Sequence, residues 1–98
     1  MNKVKYKYKV GDVVQIIGEQ RPGQAEIGFV GLYGQIIKLH TILNHSLFIF
    51  HPSYQLEIRC PSEIINDEIF GEECLYAPSK GAAFIYLVKG NETDLNNV

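Results

Sequence analysis

The chain opens on a strict two-residue alternation, with Lys3, Lys5, Lys7 and Lys9 on one side and Val4, Tyr6, Tyr8 and Val10 on the other. Successive side chains of an extended backbone point to opposite faces, so a period of two is the mark of a half-buried strand. Three readings of this arm stand side by side. It is an edge strand or extended lead-in whose lysines discourage pairing with other chains, a basic arm with interleaved tyrosines for RNA, DNA or an acidic partner, or a disordered end. After Gly11 and Asp12 the β-branched run at residues 13–17 predicts a strand, which Gly18 closes. The loop over residues 19–31 holds Pro22, Gly23, Gly28 and Gly31, residue types that supply tight turns and positive φ.

A second strand is predicted over residues 33–39, with Gly34 marking a bulge or a close backbone approach. These two strands and the glycine-rich loop between them, residues 10–39, are the stretch around which the chain is organised. Asn44 and His45 then form a turn, and residues 47–50 are apolar throughout, as in a central strand. Pro52 and Ser53 either turn a hairpin or bend one long strand, because Pro has no N–H to give to a ladder. The cleanest alternation lies at residues 54–59, where Tyr54, Leu56 and Ile58 point inward and Gln55, Glu57 and Arg59 outward. Residues 61–77 read as a loop with one helical turn near Glu72 and Glu73, after which Leu75 drops into the core. Residues 78–81 form a turn, 83–88 an additional C-terminal strand and 91–98 a disordered polar tail.

Five or six short strands separated by turn signals predict an all-β chain with a single domain over residues 1–90. At this size the natural form is a small closed barrel, since closure removes exposed strand edges. Hydrophobic residues at 46% and charged residues at 20% are ordinary for a globular domain. Two cysteines, Cys60 and Cys74, are too few for a staple-dense secreted framework, although a bond between them stays open. The lysine-rich start has no continuous apolar region of the kind a signal peptide needs, and no run is long enough to span a bilayer. A cytoplasmic, reduced protein without a membrane association is the expectation.

The net charge of −2 conceals an uneven distribution. The first ten residues hold four lysines and no acid, and the remaining 88 carry five basic against eleven acidic groups. Five of those acids, Glu63, Asp67, Glu68, Glu72 and Glu73, fall within residues 63–73, where there is no base. A chain polarised in this way suits a protein partner better than a nucleic-acid backbone, which repels the acidic bulk.

Chemistry-bearing residues are sparse. His40, His45, His51, Cys60 and Cys74 are the soft ligand candidates, and their successive separations of 5, 6, 9 and 14 residues match no structural zinc spacing. Cys60 or Cys74 with His51 could in principle form a nucleophile and base, but Pro61 follows Cys60 and no glycine-rich oxyanion loop adjoins either cysteine. The glycine-rich loop lacks the Gly-Lys-Ser/Thr ending of a phosphate cradle. A protein without a catalytic set, metal or cofactor is therefore expected.

Gly11-Asp12-Val13-Val14-Gln15-Ile16 and Gly31-Leu32-Tyr33-Gly34-Gln35-Ile36 together resemble the opening of a bacterial SH3-like small barrel. In that group Gly-Asp introduces the first strand, a loop of variable length follows, and a Gly precedes an aliphatic strand. Phe70-Gly71-Glu72-Glu73-Cys74-Leu75 likewise resembles the short acidic turn, ending in Leu, that often precedes the closing strand. The resemblance covers residues 9–77. Barrels of this kind occur in KOW-type nucleic-acid-binding modules, in the variable chain of ferredoxin-thioredoxin reductase and in the photosystem I subunit that supports ferredoxin docking.

The long loop, the dipolar charge and the absence of a catalytic set point to a non-enzymatic protein-binding module or accessory subunit that docks on another protein. Its contacts are expected from Arg21, Phe29 and Tyr33, on or beside the long loop, and from Glu63, Asp67, Glu68, Glu72 and Glu73. The alternative is a KOW-like nucleic-acid-binding regulator that uses Lys3, Lys5, Lys7 and Lys9. Arg21 is the one basic residue near the loop glycines, which favours the protein partner.

Overall fold

The computed structural model describes residues 4–18, 27–44 and 49–92. A five-stranded antiparallel sheet is built from β1 Val13–Ile16, β2 Tyr33–Asn44, β3 Ile49–Arg59, β4 Ile64–Gly71 and β5 Leu75–Tyr76. The strand order is β4-β3-β2-β1-β5. A 3-10 turn at Ile27–Phe29 precedes β2, another at Glu72–Cys74 joins β4 to β5, and one helix, α1 Lys80–Lys89, follows. Residues 19–26 of the long loop, the predicted turn residue His45 and residues 93–98 of the predicted tail lie outside the described residues.

The predominantly β expectation holds, but two particulars of it do not. The sheet is open, with β4 and β5 at opposite edges. Two-residue β5 pairs with β1 alone, through Gln15↔Tyr76 and Ile16↔Leu75, and is too short to bring the edges together. The predicted strand at 83–88 is instead part of helix α1. Its start follows Pro78, with Ser79 as N-cap: the Ser79 hydroxyl accepts from the Ala82 amide at 3.1 Å and its carbonyl accepts from the Ala83 amide. Its end is Gly90, at φ +73°, whose amide donates to the Tyr86 carbonyl at 2.7 Å. A β-carbon at Gly90 would lie 3.2 Å from the carbonyl oxygen of Arg59, so glycine is required there for space as well as for φ.

The segment read as a loop over 61–77 contains strand β4, antiparallel to β3. Its alternation is hidden by a register shift opposite Glu57, where Asn66 and Asp67 together oppose one residue of β3. The helical turn expected near Glu72 and Glu73 is present as the 3-10 turn, and Leu75 beyond it is buried. Pro52 does not turn a hairpin. It lies within β3, opposite Thr41, and β3 runs on without interruption.

The core is the inward face of the sheet. Tyr54, Leu56 and Ile58 are wholly buried, as their alternation predicted, and pack with Val14, Ile16, Ile36, Phe70 and Leu75. A register shift between Ile36 and Lys38 puts an extra residue, Ile37, on β2, so that Ile36 and then Leu39 face the core. Gly34 is a close approach: a β-carbon there would stand 3.0 Å from the Leu56 Cδ1 and 3.3 Å from the Glu57 carbonyl oxygen.

The N-terminal arm is not a strand of the sheet. It is a lead-in bent at Lys7 and Tyr8 whose alternation holds only as far as Lys9: Lys5, Lys7 and Lys9 are exposed, Tyr6 half-buried and Tyr8 buried, whereas Val10, expected on the tyrosine side, is 56% exposed. Lys3 lies outside the described residues. Among the described residues no helix is long and apolar enough to cross a membrane.

Candidate functional site

Three surfaces bear on function: the seat and outer face of α1, the hub that holds the arm, and the acidic edge at β4. The first begins where β2 and β3 part. Their ladder reaches Gln35↔Glu57, and two residues further along it would pair Tyr33 with Arg59. Asn91 occupies the place between those two residues. Its side-chain carbonyl accepts from the Tyr33 amide at 2.8 Å, its NH₂ donates to the carbonyls of Tyr33 and Arg59 at 2.9 Å each, and its own backbone amide donates to Arg59 at 2.9 Å. The Arg59 amide is left to the Tyr86 hydroxyl, at 3.1 Å, and that hydroxyl donates to the Glu57 carbonyl at 2.8 Å. Every backbone polar group freed by the parting strands is therefore satisfied, as buried polar groups must be.

The same residues anchor α1. Tyr86 is its buried side chain, stacked under the Arg59 guanidinium at 4.8 Å and tilted against Tyr33 at 6.2 Å. Arg59 Nη2 donates to the carbonyls of Tyr86, which also accepts from the Gly90 amide, and of Leu87, in the last turn of the helix where carbonyls run out of intrahelical donors. A cation placed there also opposes the negative end of the helix dipole.

Around this anchor α1 is apolar on its outer side. Phe84 is 66% exposed, Ile85 54%, Leu87 43% and Val88 63%. A helix that is apolar all round belongs in an interior, and one packed on a sheet by one aromatic side chain leaves most of that surface in water. Between α1 and the start of β2 lies an open cleft of about 340 Å³, lined by Leu32, Tyr33, Ile85 and Tyr86 and reaching Asn91. Its walls are mostly apolar with a few polar atoms, and Asn91 and the Tyr86 hydroxyl already have partners.

Midway along β3, Tyr54 is the centre of a hydroxyl and carboxylate hub. Its hydroxyl accepts from the amides of Lys7 and Tyr8 at 3.0 and 3.2 Å and donates to Glu72 Oε1 at 2.5 Å. Glu72 Oε1 also accepts from the Lys7 amide at 2.8 Å. The rings of Tyr6 and Tyr8 meet Tyr54 edge to face. Burial first, and then the hydrogen bond to Glu72, push the Tyr54 phenol up to about 12. Tyr6 extends the clamp to β2, donating to the His40 carbonyl at 3.0 Å.

The expected contact residues are dispersed by the fold. Glu63, Asp67 and Glu73 are exposed along the β4 edge and the turn after it, and Glu68 is half-buried opposite Leu56. Glu72 is engaged with the arm. Phe29 is buried, packed edge to face on Phe70 at 5.7 Å, so it offers no groove. Tyr33 is half-buried at the cleft, and Arg21 lies outside the described residues. No disulfide joins Cys60 and Cys74, and Cys74 is buried with its thiol pushed up by burial and by the charge of Glu73. Among the described residues no group of three or more His, Cys, Asp or Glu could hold a metal ion.

Sequence reasoning missed α1 and Asn91. Ser79 and Gly90, an N-cap and a C-terminal glycine bracketing residues 80–89, were the available signal for the helix. Asn91 had none, since its role exists only where distant strands part. Comparison with protein-family models, curated proteins and solved structures finds no match to this chain.

Proposed function

We propose that this chain is a non-enzymatic protein-binding module that docks on a partner protein through the outer face of α1 and the cleft beside it. The observation that carries the reading is the exposure of Phe84, Ile85, Leu87 and Val88 on one ten-residue helix. Contiguous apolar surface of this kind costs free energy in water and marks interaction sites. The acidic β4 edge, with Glu63, Asp67 and Glu73 exposed, complements a basic surface and speeds association more than it tightens the complex.

The SH3-like resemblance is part of the same proposal, as an open form of such a barrel. Two features support it. Gly11 and Asp12 introduce β1, and the acidic turn Glu72–Cys74 leads into a last strand that pairs with the first. On this reading α1 is an addition to the barrel and supplies its specificity.

The test is recovery of the tagged chain from its native cell, compared with a Phe84→Ser/Val88→Ser variant. A partner that co-purifies with the parent chain and is lost from the variant supports the reading. Recovery of the chain alone, or equal recovery of partner by both, contradicts it.

A further inference from the structure

The outward stripe of α1 has a defined spacing. At 3.6 residues per turn, Gly81, Phe84, Ile85 and Val88 stand at i, i+3, i+4 and i+7, on the side of the helix turned away from buried Tyr86. This is the seam by which helices pack on helices, apolar side chains of one entering the gaps of the other. Gly81 opens one end of the seam, since a β-carbon there would meet nothing within 4 Å. Ile85 belongs both to the seam and to the cleft, which offers space for a large apolar side chain arriving with the helix.

Charge selects among the helices that could lie there. Lys80 and Lys89 stand exposed at the two ends of α1, and no acid occurs between residues 80 and 91. Two copies of α1 packed antiparallel would set Lys80 of one copy near Lys89 of the other, and packed parallel would set each lysine beside its equivalent. Like charges facing across an interface disfavour that pairing, whereas carboxylates at both ends of the incoming helix are attracted. The first acid past the helix, Glu92, sits at the rim of the cleft and not on the seam.

We infer that the occupant of α1 is an α-helix of a different protein, apolar at i, i+3, i+4 and i+7 and carrying Asp or Glu beside both ends of that stripe. The inference rests on the docking reading above and specifies the partner of that same surface.

Two end-capped peptides of about 18 residues, long enough for measurable helicity, serve as probes. Both carry leucine at the stripe positions on an alanine background. One has glutamates flanking the stripe, and the other has lysines at those places. Each is titrated at low salt into the full isotope-labelled chain while backbone amide shifts are followed by NMR. The expected result is shifts in residues 80–89 with the glutamate peptide, about tenfold weaker binding of the lysine peptide, and loss of that difference in Lys80→Gln/Lys89→Gln. Shifts with neither peptide, equal affinity for both, shifts confined to other elements, or a dimer of the chain formed through α1 would overturn the inference.

The two readings fail separately. If the peptides leave α1 unshifted while Phe84→Ser/Val88→Ser still loses the native partner, the helical occupant is wrong and the docking surface stands. If that variant keeps its partner, both are wrong.

Discussion

Asn91 and Tyr33 are joined by two hydrogen bonds of opposite sense: the Tyr33 amide donates to the Asn91 side chain at 2.8 Å, and the Asn91 NH₂ donates back to the Tyr33 carbonyl at 2.9 Å. A carboxamide presents a donor and an acceptor side by side, as a peptide group does, so Asn91 takes the place of the β3 residue that Tyr33 would otherwise face. Asn91→Ala leaves the Tyr33 amide and carbonyl short of partners, while the Arg59 carbonyl keeps the bond from the backbone amide of residue 91. A loss of about 3 kcal/mol is expected in urea unfolding, at the upper end of the cost of an unsatisfied buried group. Asn91→Asp should lose at least as much above neutral pH, because a carboxylate cannot donate to either carbonyl. A loss below about 0.5 kcal/mol for both variants would show that the parting strands have other partners.

Tyr86 should separate attachment of the helix from stability of the sheet. Tyr86→Phe removes the hydroxyl that bridges Arg59 and Glu57, at an expected cost of about 2 kcal/mol. Tyr86→Ala also removes the ring beneath Arg59, at an expected cost of about 4 kcal/mol. Hydrogen exchange should then show residues 80–89 opening while β2 and β3 keep their protection. Uniform loss across helix and sheet would contradict this division.

The Tyr54 and Glu72 pair carries a pH signature. The folded phenol, pushed up to about 12, holds its proton more tightly than an unfolded tyrosine near 10. Its contribution to stability is therefore fully present below about pH 10 and is lost as pH rises through about 12. In Glu72→Gln the contribution of the carboxylate disappears and burial remains, so the phenol should titrate between those two values and the window should narrow. The difference in ultraviolet phenolate titration between the parent and Tyr54→Phe isolates this group from the other tyrosines. A Tyr54 that ionises with the exposed tyrosines would mean that the hub does not form.

What could be read from the chain depended on whether a residue acts through local pattern or through distant contacts. Tyr54, Leu56 and Ile58 were legible because they sit on an unbroken strand with one face inward. β4 was obscured by the bulge at Asn66 and Asp67, which shifts its alternation by one residue. The β-branched and aromatic run Phe84-Ile85-Tyr86-Leu87-Val88 has the composition of a strand, yet the caps at Ser79 and Gly90 and the seat for Tyr86 make it helical. The candidate site followed the same division. Charges at residues 63–73 were visible at once, whereas the apolar face of α1 became visible only with the helix itself.

The most direct test of the docking surface is hydrogen exchange on the native complex compared with the chain alone. Added protection is expected in residues 80–89 and around the cleft at Leu32 and Tyr33, with Phe84→Ser/Val88→Ser abolishing it at a stability cost of no more than about 0.5 kcal/mol per substitution. Protection confined to β4 or the N-terminal arm, with α1 unchanged on binding, would contradict it.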